Sequence, residues 1–283
     1  MTIATLIAAG RLDESLVEAA AARFGGRPGA WIEQGSARDL HFAGVVPWVD
    51  GWEGVDLLPI TPGPRLRSLL VADMDSTMIG QECIDELADY AGVKPEVAAI
   101  TERAMLGELD FAGALRARVA LLEGLESSVL ARCLAERVRP NRGAKTLVAT
   151  MRRHGATCLL VSGGFTAFAE PVGAMLGFDE VRANRLAVRD GKLSGTVDGV
   201  LVDSAAKRDS LDDTRARLGL ASDATMALGD GANDRAMVEA AGWGVAFHAK
   251  PALAAIADAR LDHHDLDALL WAQGIARADW VVA

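Results

Sequence analysis

Leu69-Leu70-Val71-Ala72-Asp73-Met74-Asp75-Ser76-Thr77 is an apolar run that ends in two aspartates one residue apart. Four apolar residues in a row, closed by polar ones, fit a short strand buried on both faces, the habit of a parallel sheet. Side chains alternate along a strand, so extended backbone through Asp75 predicts that Asp73 and Asp75 point the same way. Two carboxylates that close repel unless a cation or a proton lies between them, which makes this turn a candidate metal site.

Three more apolar runs follow, Cys158 to Val161, Met226 to Leu228 and Val245 to Phe247, with segments of helical period between them. That alternation predicts an α/β fold, a doubly wound parallel sheet covered by helices. The second run ends in Ser162-Gly163-Gly164 and the third in Gly229-Asp230-Gly231-Ala232-Asn233-Asp234. Ligands of open α/β sheets bind beyond the carboxyl ends of the strands, so the three turns are expected to converge on one crevice.

The stretch 80–145 carries almost no strand signal. Ile84, Leu87, Ala88 and Ala91 keep i, i+3, i+4, i+7 spacing, as do Phe111, Leu115, Val119 and Leu122, which predicts an inserted all-helical cap over the crevice. The catalytic core then comprises 67–79 and 146–283. Leu186 to Val188, Asp190-Gly191 and Leu193 to Val197 read as a hairpin decorating an edge. Residues 1–66 differ in kind, with a helix from Glu14 to Arg23, a Gly25-Gly26 break and the linker Pro59-Ile60-Thr61-Pro62-Gly63-Pro64. Proline at that density marks a boundary, and the segment reads as a small N-terminal α+β module whose candidate roles are homodimer formation or ligand sensing.

With 29 basic and 39 acidic residues the 283-residue chain has a formal charge of -10, which argues against nucleic acid or an anionic membrane as partner. A small anionic substrate would need a local cationic pocket. Cys83, Cys133 and Cys158 are odd in number and widely spaced, which suits free thiols in a reducing, cytoplasmic setting. The apolar start, Met1 to Ala9, lacks a cationic lead and is too short to span a bilayer, so neither an export signal nor a membrane span is expected. His263-His264 reads as an exposed loop pair, and the histidines have no metal-ligand spacing.

Asp73 is the candidate nucleophile, because a carboxylate whose charge is partly balanced by a cation can attack phosphorus and form an acyl phosphate. Asp75 would protonate the departing oxygen and later deprotonate water. Asp230 would complete an oxygen cage for Mg2+, with Asn233 and Asp234 holding the substrate or orienting the ligands. Ser162 and Gly163 offer a hydroxyl and backbone N–H groups to an anion at a helix start, although Ser162 also reads as a plain N-cap. Lys207 could neutralise a phosphate oxygen, or be a solvated surface lysine. Arg118 lies on or beside an apolar stripe and could bind a carboxylate, or snorkel to water. Glu82 could receive an ammonium group, or be a first-turn glutamate favoured by the helix dipole.

Taken together, these motifs resemble the haloacid dehalogenase superfamily over roughly residues 67–250. The cap residues Thr101-Glu102-Arg103-Ala104-Met105, Phe111 and Leu115-Arg116-Ala117-Arg118-Val119 resemble the narrower pattern of its phosphoserine phosphatase family. The resemblance implies Asp73 as nucleophile, Asp75 as acid and base, and one Mg2+ per chain on the side chains of Asp73 and Asp230 and the carbonyl of Asp75. It implies Glu82 and Arg118 as readers of the ammonium and carboxylate of O-phosphoserine, with Ser162, Gly163, Lys207 and Asn233 around the phosphate. The implied activity is hydrolysis to L-serine, the last step of serine synthesis. A phosphatase or phosphotransferase acting on another small phosphate monoester, or a non-catalytic amino-acid-binding regulator, are the alternatives.

Overall fold

The computed structural model describes residues 2–48, 52–105 and 108–282; Met1, where the apolar N-terminal stretch begins, lies outside them. The chain opens with β1 (Thr2–Leu12), α1 (Glu14–Phe24), β2 (Arg27–Glu33), β3 (Gly35–Phe42) and β4 (Asp56–Ile60). These strands form one four-stranded sheet in the order β2-β3-β1-β4. Asp13 caps α1 by accepting the Leu16 N–H at 2.8 Å, and Gly25 ends the helix at φ 78°, a left-handed C-cap that suits glycine. The apolar N-terminal stretch is therefore strand β1, paired on both sides. Pro59 and Ile60, expected in the linker, close β4 instead. An edge strand tolerates a proline because one side of its ladder needs no donor.

β5 (Leu69–Ala72) then enters a second sheet. Four helices follow: α2 (Cys83–Ala91), α3 (Lys94–Met105), α4 (Phe111–Ala120) and α5 (Ser128–Arg137). The remainder alternates: α6 (Ala144–Arg153), β6 (Thr157–Phe165), α7 (Thr166–Leu176), β7 (Glu180–Arg189), β8 (Lys192–Asp198), α8 (Ser204–Arg217), β9 (Thr225–Gly229), α9 (Arg235–Ala240), β10 (Trp243–Phe247), α10 (Pro251–Ala254), β11 (Ala259–Leu261) and α11 (Ala268–Ala272). The sheet order is β11-β10-β9-β5-β6-β7-β8, parallel except for β8. The expected doubly wound α/β sheet is thus present, with β11 as a further strand.

β5 shows why a continuous apolar run was needed. Leu70 and Ala72 pack into the core on one face, while Leu69 and Val71 pack into the core on the other. Each fully buried leucine or valine is worth about 1.5–3 kcal/mol, so the centre of the sheet is anchored where the catalytic turn begins. The β7–β8 hairpin is more than decoration. Its turn has Asp190 at φ 50° and Gly191 at φ 77°, and Leu193 exchanges backbone hydrogen bonds with Gly124 and Leu125, in the connection between α4 and α5.

The first sheet is tied to the second by polar contacts. Asp39 takes both guanidinium nitrogens of Arg65 at 2.6 and 2.7 Å, a bidentate pair. Asp56 accepts the backbone N–H groups of Asp262, His263 and His264 at 2.9–3.1 Å. The His264 Nδ1 lies 2.6 Å from the same carboxylate and its Nε2 accepts the Ala9 N–H at 3.1 Å. His264 is therefore a fixed strut between the sheets, whereas the sequence suggested an exposed loop residue; only His263 is exposed.

Among the described residues no helix is long and apolar enough to cross a membrane. The three cysteines are free and buried. Burial, with Glu86 nearby, pushes the Cys133 thiol up to about 11, and burial with Asp75 pushes Cys83 higher still. Since the thiolate is the reactive form, iodoacetamide at pH 8 is expected to label none of them in the folded chain and all three in denaturant, as counted by mass spectrometry.

Candidate active site

The carboxyl ends of β5, β6 and β9 lie side by side, because β5 is hydrogen-bonded to both neighbours. Their turns meet as the alternation predicted. Asp73, the first residue past β5, is buried at 3% exposure and anchored by its own N–H to Leu228 O at 2.9 Å. Its Oδ1 accepts the Met74 N–H at 2.8 Å and lies 2.6 Å from Lys207 Nζ. Asn233 Nδ2 approaches Oδ2 at 3.4 Å.

Asp75 has partners of its own. The strand stops at Ala72, and the chain turns through Ser76 at φ 56°, so strict alternation no longer applies. Asp75 Oδ1 instead caps α2 by accepting the Cys83 N–H at 2.9 Å, and Oδ2 accepts from the Ser162 hydroxyl at 3.3 Å. Burial raises its pKa against these hydrogen bonds, so it holds a proton more readily than an ordinary aspartate.

Lys207 is fully buried between Asp73 and Asp234, 2.7 Å from the latter's Oδ1. Burial alone would lower its pKa, but Asp234 and Asp73 outweigh that and keep the ammonium charged. The surface-lysine reading is excluded. α8 delivers it there: Asp203 caps the helix through the Ala206 N–H at 2.9 Å, which sets Lys207 on the first turn.

Asp234 is the hub of the third turn. Its Oδ1 takes Lys207, and its Oδ2 accepts the N–H groups of Asp230 and Gly231 at 3.1 and 3.0 Å. Gly229 makes room for it, since a Cβ there would lie 2.4 Å from the Asp234 Cγ. Gly164 is under a similar constraint, with a Cβ falling 2.5 Å from Asp75 Oδ2.

Asp73, Asp230 and Asp234 each present a carboxylate oxygen within 4.8 Å of the others. Burial, then the Asp234 charge, push the Asp73 pKa well up despite Lys207, and burial raises Asp230. Buried carboxylates short of positive charge, all with oxygen donors, fit a hard divalent cation. Both oxygens of Asp234 are held at 2.7–3.1 Å, whereas Asp73 Oδ2 and both Asp230 oxygens are held only at 3.2–3.4 Å, so Asp73 and Asp230 yield an oxygen to an ion more readily.

Ser162 and Gly163 lie within β6, and the following helix is capped by Phe165 without a side-chain bond. Ser162 is therefore no N-cap; its hydroxyl accepts the Gly164 N–H at 2.8 Å. A Cβ on Gly163 would lie 3.0 Å from the Phe111 ring, so α4 sits directly over this turn. Glu82 stands at the N-cap position of α2, half-buried, and accepts the Ser76 hydroxyl at 2.8 Å. Burial and Asp75 raise its pKa. Arg118 is half-buried, its Nε donating to Ala114 O at 3.3 Å. Burial lowers its pKa while Asp85, Glu82 and Asp75 oppose that, so its guanidinium feels the crevice carboxylates.

Three residues of this region were not singled out from sequence. Thr77 donates to Asp230 Oδ1 at 3.3 Å, and Lys250 Nζ lies 3.2 Å from Asp230 Oδ2. Asn184 ties Gly163 O to the Val202 N–H, each at 2.8 Å, linking the second turn to the approach of α8. Lys250 follows the fourth apolar run, so a search of every strand's carboxyl end would have reached it. Asn184 carried no comparable signal.

A family model described as haloacid dehalogenase-like hydrolase matches residues 70–239. A phosphoserine phosphatase of Mycobacterium tuberculosis is 46% identical over 215 residues, 76% of this chain and 52% of that protein. One of Albidiferax ferrireducens is 47% identical over 238 residues, 82% of this chain and 98% of that protein. The chain thus spans about half the length of the first and nearly all of the second. A solved structure of a phospho-aspartyl intermediate analogue of phosphoserine phosphatase matches with TM-score 0.68 at 39% identity, covering 72% of this chain and 98% of that one. The chain belongs to the haloacid dehalogenase-like hydrolase family, among the phosphoserine phosphatases.

Proposed function

We propose that the chain is a Mg2+-dependent phosphatase that hydrolyses O-phospho-L-serine to L-serine and phosphate. The observation that carries this reading is the Asp73 carboxylate, buried at the end of the central strand, paired with Lys207 and grouped with Asp230 and Asp234. Asp73 attacks phosphorus and becomes an aspartyl phosphate. Asp75, whose pKa is raised, donates a proton to the serine oxygen as it leaves and takes one from the attacking water afterwards. Ser162, the Gly163 backbone, Lys207 and Asn233 hold the phosphate oxygens as charge shifts among them. Asp73, Asp230 and the carbonyl of Asp75 hold one Mg2+, which when bound offsets the charge of the carboxylates and the phosphoryl group. Asp234 holds Lys207 and the Asp230 loop in place.

Glu82 and Arg118 flank the crevice from α2 and α4 and read the ammonium and carboxylate of the amino acid. Helices α2–α5, proposed as a cap unit over 80–145, exclude water while Asp73 attacks and admit it afterwards. Residues 1–66 are proposed as a separate module, a homodimer contact in a cytoplasmic enzyme, with 67–79 and 146–283 as the catalytic unit.

Phosphate release from O-phospho-L-serine tests the reading: activity is expected with Mg2+ and lost with EDTA. Arg118→Ala is expected to raise KM for phosphoserine about 10–100-fold, the worth of one charge-assisted contact, and to change hydrolysis of an aryl phosphate little. Equal effects on both substrates would remove Arg118 from substrate reading, and no Mg2+-dependent release at all would overturn the function.

A further inference from the structure

Lys250 lies three residues past β10, immediately before α10. The chain reaches it through His248, a non-glycine residue at φ 43°, a conformation that costs on the order of 1 kcal/mol and persists where surrounding contacts enforce it. Those contacts are present. The His248 ring stacks on Phe247 at 4.1 Å between centroids, and its backbone N–H donates to Leu261 O at 2.9 Å. The turn aims the chain back over the β9 loop, where the Lys250 N–H donates to Asp230 O at 2.8 Å. Its ammonium meets Asp230 Oδ2 at 3.2 Å. Lysine backbone and side chain thus grip the same residue.

The two lysines of the site differ in mobility. Lys207 is 1% exposed and shared between two carboxylates, so it is locked. Lys250 is 59% exposed with one carboxylate partner in the site, so its arm can leave toward solvent at small cost. Asp230 has two oxygens, one on Thr77 and one on Lys250. A cation drawn to Asp230 competes with a charge already there.

We propose that Lys250 is a positioning residue that competes with the divalent ion for Asp230 and so sets how tightly this site holds metal. The inference rests on Asp230 as a metal ligand under the proposed function. Metal binding loosens the Lys250–Asp230 pair, and by linkage the pair weakens metal binding by the same factor.

Isothermal titration of the full chain with Mg2+, after chelator treatment and without substrate, tests this. Lys250→Met and Lys250→Gln are expected to bind Mg2+ about 3–5-fold more tightly than wild type, the upper range of an exposed charge pair. Lys250→Arg is expected to stay within about twofold of wild type, because it keeps the charge. Lys192→Met, which removes an ammonium paired with Glu126 at 3.2 Å, is expected to change nothing. Unchanged or weaker binding in both Lys250 variants overturns the proposal, as does an equal gain in Lys192→Met, which would signal net charge alone. If wild type binds no divalent ion, the metal reading falls and this one with it. If wild type binds Mg2+ without hydrolysing phosphoserine, only the substrate assignment falls.

Discussion

Asp73→Asn is expected to reduce phosphoserine turnover at least about 1,000-fold, since removing a nucleophile that forms a covalent intermediate leaves only binding and electrostatic stabilisation. An amide cannot attack phosphorus as a carboxylate does, yet it matches the carboxylate in size. The fold should survive for that reason. The amide oxygen of the variant can still accept the Met74 N–H that Asp73 Oδ1 receives at 2.8 Å, and Lys207 keeps Asp234 at 2.7 Å. The substitution also removes a buried charge whose pKa is pushed well up by burial and by Asp234. A carboxyl raised in the folded state contributes stability below its unfolded pKa and loses it as pH rises through the folded one. An amide has no such loss, so thermal unfolding at pH 7 should occur no earlier than in wild type. Rate measurements on protein with a native circular dichroism spectrum check both halves, and residual turnover within tenfold of wild type would remove Asp73 as the nucleophile.

Lys207→Met is expected to behave in the opposite way, losing stability along with activity. Asp73 and Asp234 are 4% and 0% exposed, and the ammonium lies 2.6 and 2.7 Å from them. Breaking a buried pair by removing one partner costs about 3–5 kcal/mol, because the other charge stays buried without compensation. For a chain of this size that corresponds to a fall in Tm on the order of 10 °C. Turnover should fall on the order of 100-fold or more, with the loss of a preorganised cation beside the phosphoryl group. Mg2+ should restore more of the Tm in Lys207→Met than it adds to wild type, because the ion supplies the missing positive charge. Thermal unfolding of both proteins with and without Mg2+ decides the matter. A Tm within about 2 °C of wild type would mean the carboxylates do not depend on Lys207.

Charge and shape act separately within this one cluster. Asp73 is held for its reactivity at some cost in stability, whereas Lys207 serves both reactivity and stability.

The sheet and its catalytic turns were legible in the order of the residues. A strand buried on both faces has to be apolar at every position, so Leu69 to Ala72 and the runs after it could be read directly. Strand ends in such a sheet converge, which put Asp73, Ser162 and Asp230 at one place. Asp75 lies beyond the last strand residue, where alternation no longer fixes a side chain, and its carboxylate has the Cys83 N–H and the Ser162 hydroxyl as partners. Local rules failed at the junction of strand and helix. Ser162 is a strand residue because the helix begins only at Thr166.

Tertiary structure alone decided which long-range charges meet. Lys207 read from its own position as either a phosphate-neutralising or a solvated surface lysine, and its enclosure by Asp73 and Asp234, far away in the chain, decided between the two. Lys250 gained its meaning from Asp230, and His264 from Asp56 in the other sheet. Ion pairs of this kind carry no periodicity, since their energy depends on burial and separation in space, and neither is written in the order of residues along the chain.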